Sequence, residues 1–352
     1  MYKYLILFLC FVLSGCAKVQ IVDRIKLIQS IGFDLQEDTF KVSGTYYAYN
    51  NKVGLSLLNG EAKSFNEVLT LFTAQSDYPI AIGQLRTIVM SDDMAINGIS
   101  NLASTVIRDP LMSNNAVIVL TNDHASEVLS ETLKYPPSYL SDLIKQNMLS
   151  GNTPITNAHL FLDQYFGDGQ DVYLPILFIS PKGILQMDGV GVFHQDKLKL
   201  KISSKEGLLI KLLKDDKTNA MTSTYNFIDD QNKRISFKII NSQRKVSVQS
   251  DTAMISVKLN IELRDYPTAL NVFENNNDMH DLKKQFEKHL TSELKLLLEN
   301  FQKNRVDPIG FGHLTESHQR NWNENDFYDH MYPRLKFKIQ TEINIQFLGV
   351  GH

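Results

Sequence analysis

Apolar positions recur in this chain with a period of two in some stretches and close to 3.6 in others, and the order of the stretches divides it into two unlike halves. Phe40, Val42, Gly44 and Tyr46 alternate with polar or small neighbours and predict a strand. Ser64 with Glu67 predicts a capping box opening a helix whose inner face carries Val68, Leu69 and Phe72. Leu85 to Met90 reads as a short strand. Ser91-Asp92-Asp93 then opens a helix that runs to about Ile107 and is broken at Arg108-Asp109-Pro110. Val117 to Leu120 is a compact strand. Helices follow over Ala125–Leu133 and Ser138–Leu149, parted by Pro136-Pro137, and over Asn157–Phe166, ended by Gly167-Asp168-Gly169. Strands alternating with helices predict a mixed α/β layer.

A break is expected near Ser180-Pro181-Lys182-Gly183, beyond which the pattern changes. Gly189–Phe193 and Leu198–Ile202 predict a hairpin turning at His194–Lys197, and Glu206–Leu213 a short helix. Further strands are expected over Ile235–Ile239 and Val246–Val248, and in a longer one with Ile255, Val257, Leu259, Ile261 and Leu263 on one face. Leu282, Phe286, Leu290, Leu294, Leu297 and Phe301 form one stripe of a long helix over Asp281–Arg305. In the last element Leu335, Phe337, Ile339, Thr341, Ile343, Ile345 and Phe347 alternate with polar residues, as in an antiparallel or mixed sheet covered on one side by a helix. The fold class is therefore α+β (mixed α/β), multi-domain, with β-sheets flanked by α-helices. Its expected divisions are 1–15, 16–182 and 183–352.

The first 15 residues follow a different rule. Lys3 precedes an unbroken apolar run from Leu5 to Leu13, and small residues follow it, as in a secretory signal. A membrane-spanning helix needs roughly 20 apolar residues, so the run is too short for a permanent anchor. Leu13-Ser14-Gly15-Cys16 resembles the lipobox of bacterial lipoproteins. Cleavage between Gly15 and Cys16 would leave an acylated Cys16 as the first mature residue. The chain's other cysteine, Cys10, lies inside the removed segment, so no thiol, disulfide or cysteine metal site remains for the mature domain. One fatty chain binds a membrane only marginally, and two hold it.

Charge narrows the partners. Without Lys3, 35 basic and 39 acidic side chains leave a formal charge of −4. That balance, with no long basic run, gives no support for nucleic-acid binding. Candidate chemistry is thin. His313, Glu316, His318 and His330 cluster near the C-terminus, but without the spacing of a zinc helix motif. Gly310-Phe311-Gly312 follows a helix rather than a strand, so it is not a dinucleotide loop. Asp168 and Asp171 lack the twelve-residue calcium loop with its terminal glutamate. Asp215-Asp216 and Asp229-Asp230 read as solvated turns, and neither a nucleophile elbow nor a phosphate-binding Gly-Lys-Ser/Thr loop occurs. The sequence calls for no catalytic residue, metal or cofactor.

Several segments, in order, carry a resemblance: Gly15-Cys16, Ile31-Gly32-Phe33-Asp34, Gly83–Met90, Arg108-Asp109-Pro110, Gly189–Phe193 with Glu206, Asp307-Pro308-Ile309-Gly310-Phe311-Gly312, Trp322, Tyr332-Pro333 and the final strand. Together they resemble the Ger(x)C lipoproteins, the C subunits of bacterial spore germinant receptors. Departures are Ala17-Lys18 where a tryptophan is usual, Gln84 where histidine is frequent, and Gly191 where alanine is frequent. The resemblance implies a non-enzymatic, lipid-anchored subunit on the outer face of the spore inner membrane. There it acts with the A and B membrane subunits in germination triggered by small nutrients. The alternative is a substrate-binding lipoprotein of an importer, which would show two similar lobes around a hinge. An extracytoplasmic hydrolase would need a nucleophile and base that the sequence does not assemble.

Overall fold

Two adjacent strands of nearly continuous apolar sequence, Thr87–Ser91 and Val117–Thr121, are buried along their whole length and form the middle of the first sheet. Such strands need helices on both faces. Ile88, Met90, Ile118 and Leu120 enter one core, and Val89, Val117 and Val119 enter another on the opposite side. The computed structural model describes residues 25–36, 39–50, 52–64, 67–108, 112–219, 224–228, 234–265, 276–317 and 321–348. The expected signal segment 1–15, the lipobox-like stretch with Gly15 and Cys16, Ala17-Lys18, Asp109-Pro110, Asp229-Asp230 and His318 lie outside these residues.

In chain order the first half comprises β1 (Lys26–Gln36), β2 (Thr39–Asn50), β3 (Lys52–Ala62), α1 (Val68–Ala74), β4 (Ile80–Ala81), β5 (Thr87–Ser91), α2 (Asp92–Asn97), α3 (Ser100–Arg108), β6 (Val117–Thr121), α4 (Ala125–Thr132), α5 (Tyr139–Ser150), α6 (Ala158–Phe166), β7 (Tyr173–Ile179), β8 (Leu185–His194) and β9 (Lys197–Ile202). These strands form one sheet in the order β3-β2-β1-β5-β6-β7-β8-β9, with β4 beside β1. The centre, β1-β5-β6-β7, is parallel, and antiparallel strands flank it on both sides. Ser180–Gly183, where composition suggests a break, is the turn between paired strands β7 and β8. The change of sheet comes later, between Ile202 and Lys217.

The second half comprises α7 (Ser204–Lys214), β10 (Lys217–Asn219), β11 (Thr224–Ile228), β12 (Arg234–Gln249), β13 (Thr252–Asp265), α8 (Asn276–Asn304), α9 (Phe311–Glu316), α10 (Glu324–Asp326) and β14 (Lys336–Leu348). A wide π-helical turn, Phe327–Met331, and a tight 3-10 turn, Tyr332–Arg334, precede β14. The second sheet runs β10-β12-β13-β14, with β11 also on β12. β14 is parallel to β13, so α8 is the crossover between them. The predicted stripe of α8 is the centre of this core: all six of its apolar residues are at most 2 % exposed. At the free side of β14, the Ile343 N–H donates to Glu287 Oε1 of α8 at 3.0 Å. Tyr173, Val190, Val192 and Ile202 of the first sheet join the same core through α7.

Local sequence signals fail at several places, and β3, β4, β10 and β11 have no counterpart among the expected strands. The expected capping box at Ser64 does not form. Glu67 itself occupies the N-cap of α1, and its carboxylate accepts from the Lys63 N–H at 2.9 Å. The single helix expected from Ser91 to Ile107 is two helices, because Gly98 takes φ +133°, a region that L side chains rarely adopt. The capping box that does form is Ser203 with Glu206, at α7. β7 has no counterpart among the expected strands, since Pro175 in its middle argues against a central strand. It survives there because β6 pairs with β7 only at Ile176 and Leu177.

Candidate functional site: a buried polar junction between the sheets

Several of the residues that carry the family resemblance fix backbone geometry. Asp34 ends the Gly-Phe-Asp of β1, is 3 % exposed, and accepts from the N–H groups of Ala125 and Ser126 at 2.6 and 3.0 Å. It thereby caps α4, whose own N-cap, His124, makes no side-chain cap bond. Gly32 lets α4 approach, because a Cβ there would stand 3.1 Å from the Ala125 Cβ. Asp34→Ala is expected to cost about 1–2 kcal/mol by leaving two first-turn donors unpaired. Thermal unfolding would show a midpoint several degrees lower, with Asp34→Asn recovering part of the loss. Gly191, where alanine is frequent, faces Leu120, whose Cδ1 would stand 2.4 Å from an added Cβ. Gln84 Oε1 receives the Gln29 amide at 3.4 Å. Trp322 packs near Phe327, with ring centres 6.3 Å apart.

The Asp307–Gly312 segment is the most consequential of these. Asp307 is fully buried, and its carboxylate accepts from the Gly310 and Gly312 N–H groups at 2.8 and 2.9 Å, folding the loop around itself. Gly310 completes the turn at φ +84°. The loop is held against the segment leading into β7. The Asp307 N–H donates to Asp171 Oδ2 at 2.6 Å, and the Asp171 N–H donates back to the Asp307 carbonyl at 2.9 Å. Tyr328 adds its hydroxyl to Asp171 Oδ2 at 2.9 Å, and the fully buried Tyr332 hydroxyl donates to the Val306 carbonyl at 2.7 Å. From the first sheet, the His194 imidazole meets Asp171 Oδ1 through Nδ1 at 3.2 Å. The backbones of Gly169 and Gly312 touch, and the His313 N–H donates to the Gly169 carbonyl at 2.8 Å.

The electrostatics follow from this burial. Desolvation pushes the Asp307 carboxyl up to about 7, assisted by the neighbouring charge of Asp171 and opposed by the two glycine N–H donors and Lys214. His194 is raised chiefly by its hydrogen bond to Asp171. Burial, with the charges of Asp171 and Asp307 beside them, pushes the phenols of Tyr328 and Tyr332 far above their ordinary range, so both stay protonated donors. Burial lowers Lys214, whose ammonium donates to the Ile309 carbonyl at 3.3 Å. A cleft of about 490 Å³ opens beside the junction, lined among others by Tyr165, Asp168, His194, Asp196, Arg305 and Glu324. The junction can exchange protons near neutral pH.

Of the histidines singled out in sequence, the two among the described residues have separate partners: His313 pairs with Glu316 at 3.5 Å, and His330 with Asp326 at 3.0 Å. No group of three or more metal-ligating side chains occurs among the described residues. Asp168 and Asp171 part company, the first on the cleft rim and the second buried. Asp215 pairs with Lys211, and Asp216 with Arg244. Sequence reasoning missed His194 and Tyr328 as partners of Asp171. The available signal was an aspartate set directly before the unbroken apolar run of Val172 to Ile179.

The spore germination protein N-terminal domain family matches residues 18–179, and the spore germination B3/GerAC-like C-terminal family matches residues 188–349. Spore germination protein GerQC of Bacillus cereus is 30 % identical over 98 % of both chains. Putative spore germination protein YfkR of Bacillus subtilis (strain 168) is 19 % identical over 87 % of this chain and 85 % of its own. The crystal structure of the GerBC protein matches 90 % of this chain and 97 % of that one, with a TM-score of 0.55 at 16 % identity, which shows a shared fold.

Proposed function

We propose, from the premise that this chain belongs to the GerAC-like spore germination family, that it is the lipid-anchored C subunit of a nutrient germinant receptor. The observation that carries this reading is the coverage: both family regions are present in order, and GerQC aligns along 98 % of this chain. Its partners are then the A and B membrane subunits. Its place is the outer face of the spore inner membrane, to which a diacylglyceryl group on Cys16 tethers it. None of the helices among the described residues is long and apolar enough to cross a membrane.

The subunit works without catalysis. In this reading the Asp171 carboxylate that meets His194 is structural, its oxygens accepting from the Asp307 N–H, the Tyr328 hydroxyl and the Gln195 N–H, the last at 3.4 Å. The importer reading expects two similar lobes, whereas the sheets here differ in strand order and in the number of parallel pairs.

The test is Cys16→Ala in the full chain. The expected outcome is release of the protein from washed membranes into the soluble fraction, together with impaired nutrient-triggered germination. Retention on membranes with normal germination would refute the anchor. Co-purification of the A and B subunits with an affinity-tagged wild-type chain is expected in parallel, and tight stoichiometric nutrient binding by this chain alone would favour the importer instead.

A further inference from the structure

We infer that the junction is a proton-operated coupling: protons taken up by Asp307 and His194 tighten the hold of the Asp307–Gly312 loop on the Asp171 segment, and their loss slackens it. The geometry makes these groups decisive. The loop is attached to the segment before β7 by the Asp307 N–H bond to Asp171 Oδ2, the Asp171 N–H bond to the Asp307 carbonyl and the His313–Gly169 bond, while Tyr328 and His194 hold the Asp171 carboxylate. Two buried carboxyl groups therefore lie one on each side of the interface, close enough for the charge of Asp171 to act on Asp307. When both are ionised they repel in a medium that screens poorly. A proton on Asp307 removes that repulsion, and a proton on His194 supplies a cation to Asp171.

Each element around the junction contributes to this balance. Asp171 approaches from the segment leading into β7, His194 from the end of β8, and Lys199 acts on His194 from β9. Lys214 of α7 faces Asp307, and is itself influenced by Arg244, Asp163 and Asp215. Glu324 of α10 acts on His194, while Tyr328 and Tyr332 complete the wall as protonated phenols.

The sign is the same for both switching groups. Asp307 is raised from 3.8 to about 7, so its contribution is full below pH 4 and is lost as pH rises to 7. His194 is raised above 6.5, so its contribution is lost as pH rises beyond that value. Lys214 is lowered from 10.5 and works in the opposite sense, its contribution growing as pH rises toward that value.

Amide hydrogen exchange of the full chain between pH 5.5 and 8.5, corrected for the intrinsic rate, tests the coupling. Residues 306–312 and 171–173 are expected to lose about tenfold protection or more over that range. The amides of α8 serve as the internal reference and should stay level. Asp307→Asn combined with His194→Gln should flatten the dependence. Equal protection of the junction at both ends in the wild type, or an undiminished slope in the double variant, would overturn the coupling. Should Asp307→Asn fail to fold, His194→Gln alone must reduce the slope, and a slope equal to that of the wild type would be equally fatal.

Discussion

Leu294→Asp is expected to leave the second half of the chain without a cooperative unfolding transition. Leu294 lies at the middle of the α8 stripe and is 0 % exposed, against the residues that β13 buries on its inner face. Removing the leucine alone would cost about 2–5 kcal/mol. An unpaired carboxylate in its place adds several more, and none of the stripe's side chains offers a hydrogen bond. The sum approaches the whole stability of an ordinary domain, about 5–15 kcal/mol. Circular dichroism on heating is the measurement, and the same helix provides the control. Leu296, two residues further on, is 59 % exposed, so Leu296→Asp should change stability by no more than about 0.5 kcal/mol. Equal behaviour of the two variants would mean that the stripe is not the core.

The second large effect is expected from Gly312→Ala. A Cβ at this position would stand 2.7 Å from both the Cα and the carbonyl oxygen of Gly169, and 2.9 Å from the Phe327 ring. Two of these obstacles are backbone, which cannot rotate aside. The loop must retreat, and it takes with it the Gly312 N–H that holds the Asp307 carboxylate. We expect a loss of about 2–3 kcal/mol or more, at the upper end for overpacking. Exchange should quicken at residues 169–171 before it does at α8. Gly83→Ala provides the comparison, since an added Cβ there meets nothing within 4 Å, and it should be close to neutral.

The periodic elements were legible from sequence because burial imposes the period. β13, β14 and the α8 stripe lie where alternation and heptad-like spacing place them, with shifts only at the ends. β7 was hidden by Pro175, and β11 by its shortness, with only Tyr225 and Phe227 turned inward. The split of α2 from α3 depends on the φ of one glycine, which periodicity does not register. The junction was half legible. Asp307–Gly312 stands out by resemblance, whereas its partners Asp171, His194 and Tyr328 come from separate elements brought together only by the packing of two sheets. Sequence spacing carries no information on a contact 136 residues apart, such as Asp171 with Asp307.

The Glu287 side chain on the border of β14 has a further meaning for a protein held among many neighbours. A long exposed strand invites other chains to continue its ladder, which is how sheets grow into aggregates. Here a carboxylate from the overlying helix occupies a main-chain donor in the middle of that border. An incoming strand would first have to displace a charged group from a satisfied bond. The helix that fills the core thus also acts as a bolt on the sheet's open side, guarding the molecule against its own kind when it is crowded.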